Sequence, residues 1–204
     1  MSRELDRVSS LIKFLKPCFI ESQGSTPAYN HITALIADAS LQAAVHYDRI
    51  VAPRIKSIME RYPWCTQTQD LEMVLRTVSV EELLNWRGAD KIQRFNGIFH
   101  LVRTRGIANV QELSSWVDSC DARTALLGVK GVGQKTFDYV RLLCGHAAFP
   151  IDRHILRFLR IAGIDAHRCG YERAQQLLTD SCRSLELEPS FVEKGLWNLM
   201  RSCA

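Results

Sequence analysis

Apolar residues recur at three- and four-residue spacing along nearly all of this 204-residue chain, broken by helix-start signals and not by alternating Val, Ile and Thr. A period near 3.6 does not suit a pleated strand, whose side chains change face at every residue. The chain is therefore expected to be all-α. Leu5, Val8, Leu11, Ile12 and Leu15 form the first stripe, and Pro17 is expected to stop that helix. Residues 21–27 read as a loop. Thr26, with Pro27 at the first helical position, is expected to open a long apolar helix through Ile32, Leu35, Ile36, Ala39 and Ala43. Pro53 splits the next pattern. Capping boxes are read at Ser79 to Glu82, Asn109 to Glu112 and Ser190 to Glu193, the last opening a helix with Leu196, Trp197 and Met200 inside. Asp90, Asp121 and Asp152 start further helices, and Gly106 and Gly163 end two of them.

Composition removes several function classes. A content of 47% hydrophobic and 24% charged residues excludes a disordered or collagen-like chain. No apolar run approaches the ~18 residues of a membrane span, and Met1 to Glu4 lacks a basic-then-apolar leader. An intracellular protein without a membrane partner is expected. Seven cysteines stand at irregular separations without a CxxC pair, so reduced thiols are expected, with neither zinc nor an iron–sulfur cluster.

The informative segment runs from Leu126 to Asp152. Gly128, Gly131 and Gly133 separate two helical patterns and allow a tight turn that leaves backbone amides uncovered. A helix starts near Gln134, so its free N–H groups and positive dipole end point out of that turn, where an anion such as a DNA phosphate is favoured. The net charge of +4 is concentrated around it, between Arg123 and Arg168. Arg123, Lys130, Lys135, Arg141, Arg153, Arg157, Arg160 and Arg168 stand against only Asp138, Asp152 and Asp165. The rest of the chain is close to neutral. Lys135 lies in the first turn of the new helix, where dipole and cations oppose protonation and favour an amine nucleophile. Asp152, seventeen positions further on, either caps its own helix or faces the lysine. On the residues alone, a packing hairpin, an exposed lysine and a capping aspartate account for the same pattern.

Val129-Lys130-Gly131-Val132-Gly133-Gln134-Lys135-Thr136 followed by Ile151-Asp152-Arg153-His154 resembles the signature of the helix-hairpin-helix base-excision DNA glycosylases. That superfamily carries L-P-G-V-G-x-K-T followed by V-D-x-H. Lys130 replaces the hairpin proline and reads as an added phosphate contact. The resemblance implies two helical subdomains flanking a DNA-binding cleft: residues 1–25 with 146–204, and a six-helix domain 26–145 with its hairpin at about 122–144. It implies Lys135 as catalytic lysine and Asp152 as essential aspartate. Gly131, Val132, Gly133, Gln134, Lys130 and Thr136 would grip DNA. The main-chain carbonyls of Leu127, Val129 and Val132 would hold a structural K+ or Na+, with no other cofactor required. Cys169, Cys182 and Cys203 are too sparse for the family's four-cysteine iron–sulfur loop, so the chain resembles the cluster-free branches.

Under the resemblance the expected partner is double-stranded DNA with a damaged or mismatched base, bound by a monomer where the cell keeps its DNA. The base is flipped, its glycosidic bond is cleaved through a lysine Schiff base, and the strand is nicked by β-elimination. Oxidised bases are the preferred substrates by the same analogy. Gln42 is a candidate wedge beside a surface-glutamine reading. His146, Phe149 and His154 are candidates for the base pocket, with packing the default for Phe149 and a backbone hydrogen bond for His154. Trp197 is expected in the core; Arg141, Arg157 and Arg160 contact phosphate or form a solvated face. A monofunctional glycosylase using Asp152 and water, and a non-catalytic DNA-binding hairpin protein, are the alternatives.

Overall fold

A computed structural model describes residues 3–20 and 29–202, and every regular element among them is helical. In chain order these are α1 Arg3–Ile20, α2 Ile32–Leu41, a π-helical turn Tyr47–Val51, α3 Ala52–Arg61, α4 Thr68–Val74, α5 Val80–Leu84, α6 Ala89–Thr104 and α7 Val110–Val117. They continue with α8 Ala122–Leu127, α9 Gln134–Leu143, α10 Arg153–Ile161, α11 Ala166–Cys169, α12 Tyr171–Ser184 and α13 Pro189–Ser202. The chain divides into two compact units, one of Met1–Pro27 with Gly145–Ala204 and the other of Ala28–Cys144.

The axis of the Ala28–Cys144 unit is α2, all ten residues of which are buried. A helix apolar on every side can be satisfied only by neighbours all round. Here α3, α4, α6 and α9 pack against it. Its polar residues have partners, as buried polar groups require. Thr33 donates to the Cys65 carbonyl at 3.2 Å, and Ser40 to the Ile36 carbonyl at 2.6 Å. Asp38 accepts from the hydroxyls of Tyr29, Tyr47 and Tyr139 at 2.7, 2.9 and 3.0 Å.

The other unit folds around α1, which packs on α12 and α13, while α10 packs on α13. Val8, Ile12, Phe19, Phe149, Ile155, Phe158 and Leu196 lie in its core. Helix α1 continues past Pro17 to Ile20, against the sequence expectation. Proline removes one N–H bond near the exposed end, whereas the added turn buries Phe19 over Gly195. A Cβ on Gly195 would lie 2.4 Å from the Phe19 ring, so only glycine admits that contact.

Several helix starts differ from those expected. Thr26 and Pro27 lie outside the described residues. Helix α2 is capped by His31, whose Nδ1 accepts from the Ala34 amide at 3.2 Å while Nε2 donates to the Tyr62 carbonyl at 2.9 Å. It ends at Leu41, before Ala43, because the chain turns through Ala44 at φ +58°. Gly88 precedes α6, placing Asp90 in its first turn, where its charge suits the dipole. Helix α13 opens with Pro189 instead of a Ser190 cap. Pro53 sits in the first turn of α3. Ser79 and Asn109 do cap α5 and α7 by accepting the amide three residues on, whereas the reciprocal pair of a full capping box joins Gln67 and Asp70; Glu112 instead accepts from the Ala108 amide.

Cys65, Cys144 and Cys182 are buried free thiols, and Cys18 and Cys120 are exposed; Cys203 lies outside the described residues. Burial pushes the Cys144 and Cys182 thiols up to about 12, so they remain protonated and inert. Among the described residues no helix is long and apolar enough to cross a membrane.

Candidate functional site

Helices α8 and α9 are joined by the glycine turn. Its centre is a four-residue turn in which the Val132 amide donates to the Val129 carbonyl at 2.9 Å and Gly131 takes φ +85°. Glycine at the third position with positive φ is the signature of a type II turn, whose second position favours but does not require proline. Lys130 occupies that second position and is exposed. From α6, Gly97 admits Val129 so closely that a Cβ there would lie 2.5 Å from a Val129 methyl. Arg94, also on α6, donates Nε to the Gly131 carbonyl at 2.7 Å and NH1 to the Ser40 carbonyl at 2.8 Å. One guanidinium thus ties the turn to the carboxyl end of α2.

Gly133 is the N-cap of α9 in extended conformation and supplies no side-chain hydrogen bond. A Cβ on Gly133 would meet nothing within 4 Å. The amides of this helix start are therefore approached over an open, side-chain-free position, which suits an anion. Gln134 accepts from Arg123 at 2.9 Å.

Lys135, half-buried in the first turn of α9, donates Nζ to Gln42 Oε1 at 2.6 Å. Gln42 is the C-cap residue of α2 and only 9% exposed. It is thus turned inward onto the lysine, which corrects its reading as a protruding wedge or a solvated surface glutamine. Lys91 on α6 donates to the carbonyls of Leu41 and, at 2.6 Å, Ala43. Burial, followed by the charges of Arg94 and Lys135, pushes the Lys91 ammonium down to about 8. Burial also lowers Arg94 below the ordinary guanidinium range, partly offset by Asp90. Three cations consequently gather at the negative end of α2, where orphan carbonyls and the helix dipole receive them.

One turn back along α2, Asp38 bonds Tyr139, which lies one turn beyond Lys135 on α9. The pairs 42 with 135 and 38 with 139 form two rungs between antiparallel helices. The Asp38 charge and, more strongly, burial raise Tyr29, Tyr47 and Tyr139 well above the normal phenol range, so all three remain donors.

Other expected residues serve packing or local structure. Thr136 is 6% exposed, so it is a core residue of α9 rather than a DNA contact. Val132 has a buried side chain, which leaves only its main chain for a ligand. The Val129 carbonyl already accepts the Val132 amide. Leu127 is partly exposed at the end of α8. Phe149 is 1% exposed inside the second core, which excludes it as a pocket wall. His154 is buried edge-on to Trp197 and accepts from Arg153 at 3.3 Å, in place of the backbone partner expected. His146 is half-buried in the connection. Trp197 is half-buried, with the Arg201 guanidinium 4.4 Å from its ring. Arg141 pairs with Asp118 at 3.1 Å and Arg157 donates to the Met200 carbonyl, so neither is simply solvated.

Asp152 belongs to the other unit and caps α10: its Oδ1 accepts from the amides of His154 and Ile155 at 2.8 and 3.0 Å. Sequence reasoning missed Lys91, Arg94 and the Asp38 cluster. An aspartate inside an otherwise apolar helix was a legible sign of a buried, partnered carboxylate; nothing local marked Lys91 or Arg94. Among the described residues no three His, Cys, Asp or Glu side chains gather into a metal-binding cluster. No protein-family model, curated protein or solved structure matches the chain.

Proposed function

We propose that this chain is a base-excision DNA glycosylase with abasic-site lyase activity, in which α8, the glycine turn and α9 act as a helix-hairpin-helix motif. The observation that carries this reading is the seating of Lys135 on the buried Gln42 amide, beside Lys91 and next to the uncapped start of α9 at Gly133. The open amides and Lys130 supply a backbone-phosphate grip without base readout. A monovalent cation shared by the carbonyls of Leu127, Val129 and Val132 belongs to the same reading, as does a cleft between two helical subdomains.

The lysine lone pair adds to C1′ of a flipped nucleotide, the C1′–N bond breaks, and the departing base takes a proton. Opening of the C1′–O4′ bond, with protonation of O4′, leaves a protonated imine. Removal of a C2′ proton then expels the 3′ phosphate. The Asp152 cap uses Oδ1 for both backbone bonds. Oδ2 is assigned to the positive charge that develops on the sugar and to the lysine proton. The reading requires Asp152 and Lys135 to act on one deoxyribose.

Borohydride delivers hydride to an imine and fixes the protein to DNA. Duplexes carrying 8-oxoguanine, thymine glycol, uracil, alkylpurines or a mismatch, together with an abasic duplex, are expected to yield a covalent adduct with at least one substrate. Lys135→Gln is expected to reduce the adduct to background. Adduct formation by that variant, or none by the unsubstituted protein, sinks the lyase assignment. Base release without strand nicking would favour the water-using glycosylase instead, and binding without base release the non-catalytic module.

A further inference from the structure

Packing does not account for Gln42. Its amide is about nine-tenths buried at the end of α2, and while Oε1 accepts from Lys135, Nε2 has no hydrogen-bond partner among the described residues. An unpaired buried N–H costs stability, which an apolar side chain of the same shape would avoid. The backbone that carries it is also anchored. Lys91 takes the carbonyls on either side of Gln42, those of Leu41 and Ala43, Arg94 takes that of Ser40, and the Asp38–Tyr139 rung sets the α2–α9 register.

We propose that Gln42 is the positioning residue for Lys135: Oε1 accepts an N–H of the ammonium and, once the proton has left, an N–H of the neutral amine, which leaves the lone pair turned away from the amide and free to attack. This rests on the lyase reading above. An amide is the side chain suited to the task because its oxygen accepts from the amine in either protonation state and it carries no net charge. A carboxylate in its place would favour the ammonium by its charge and so retain the proton. Other charged groups on the elements around Lys135 are Lys91 and Arg94 on α6, Asp38 on α2, Arg123 on α8, Asp118 after α7, and Asp138 and Arg141 on α9 itself. Asp38 is engaged by three phenols, and Asp118 and Asp138 by Arg141.

The test is borohydride trapping on a single-stranded oligonucleotide with a preformed abasic site, which has no base to flip and no stack to wedge, alongside an abasic duplex and a duplex with a damaged base. Gln42→Ala is expected to slow trapping on all three by about tenfold or more, as loss of a placement contact does, with duplex affinity unchanged. Gln42→Glu preserves shape, so it reports even if the alanine variant folds poorly. It is expected to move the midpoint of the trapping rate against pH upward by about 1–3 units, the effect of an adjacent opposite charge, with the rate recovered on the alkaline side. A defect confined to the damaged-base duplex, or an unmoved midpoint in Gln42→Glu, overturns the positioning role. Absence of trapping by the unsubstituted protein overturns the lyase reading itself, whereas normal trapping by both variants overturns only the role of Gln42.

Discussion

Helices α9 and α10 each begin at a residue singled out for chemistry, yet they begin in opposite ways. At α10 the Asp152 carboxylate takes two of the first free amides, closing the helix start with its own side chain. At α9 the N-cap is Gly133, which offers no side-chain acceptor and has no neighbour where a Cβ would stand. A closed start contributes to folding wherever it occurs. An open start leaves its amides for water or a ligand and is stabilised by neither a cap nor an acidic first turn. The difference teaches that a helix terminus becomes a candidate site when the fold declines to cap it, and that Asp152 has a structural duty whether or not it has a catalytic one.

The largest expected effect separates those two duties. Asn caps as well as Asp, so Asp152→Asn should leave unfolding within ~0.5 kcal/mol of the unsubstituted protein. If the carboxylate charge acts on the sugar, the same variant should lower single-turnover base release by about 10²–10⁴-fold. Asp152→Ala should add a stability loss of about 1 kcal/mol, read by urea unfolding. Full activity in the asparagine variant would reduce Asp152 to a cap.

Next comes the turn itself. Gly131→Ala must adopt φ +85° with its methyl 3.3 Å from the Arg94 guanidinium, so a loss of about 1–2 kcal/mol is expected in chemical denaturation. Gly133→Ala meets no atom and keeps an allowed backbone, so its stability should change by less than ~0.5 kcal/mol while DNA affinity falls. A Gly133 variant that binds normally would show that the open start is not used.

The Asp38 cluster is expected to respond to alkali. Its tyrosines are raised in the fold relative to about 10 in an unfolded chain. Their contribution is therefore complete below pH 10 and lost as pH rises above it. Tyr139→Phe should cost about 1–3 kcal/mol at neutral pH by removing one donor from a buried carboxylate, and should flatten the alkaline loss. Thermal melts at pH 7 and above pH 10 would measure both. The smallest effect belongs to Lys130: replacement by Ala should lower the slope of log affinity against log salt by about one, equally for damaged and undamaged duplexes.

Much of the helix order was legible because periodicity and caps are local. Ser79 and Asn109 each need only the amide three residues on, and both cap as read. Pro17 misled because the cost of one lost backbone bond is local, whereas the compensation is the Phe19 ring over Gly195, far away in sequence. The end of α2 was overrun for a similar reason: its carbonyls are taken by Lys91 and Arg94, residues with no local mark. Gln42 lay within reach as a candidate, but its direction was not, because orientation follows from the lysine it meets on another helix.

The sequence by itself determined an all-α chain and a glycine turn leading into a helix with Lys135 in its first turn, since period, positive-φ glycine and cap chemistry act over a few residues. Tertiary structure alone decided that Gln42 faces inward, that Lys91 and Arg94 join Lys135 at the end of α2, and that three tyrosines share Asp38. Those contacts connect residues dozens of positions apart, and their energy comes from burial and charge in a packed interior, which no local pattern records.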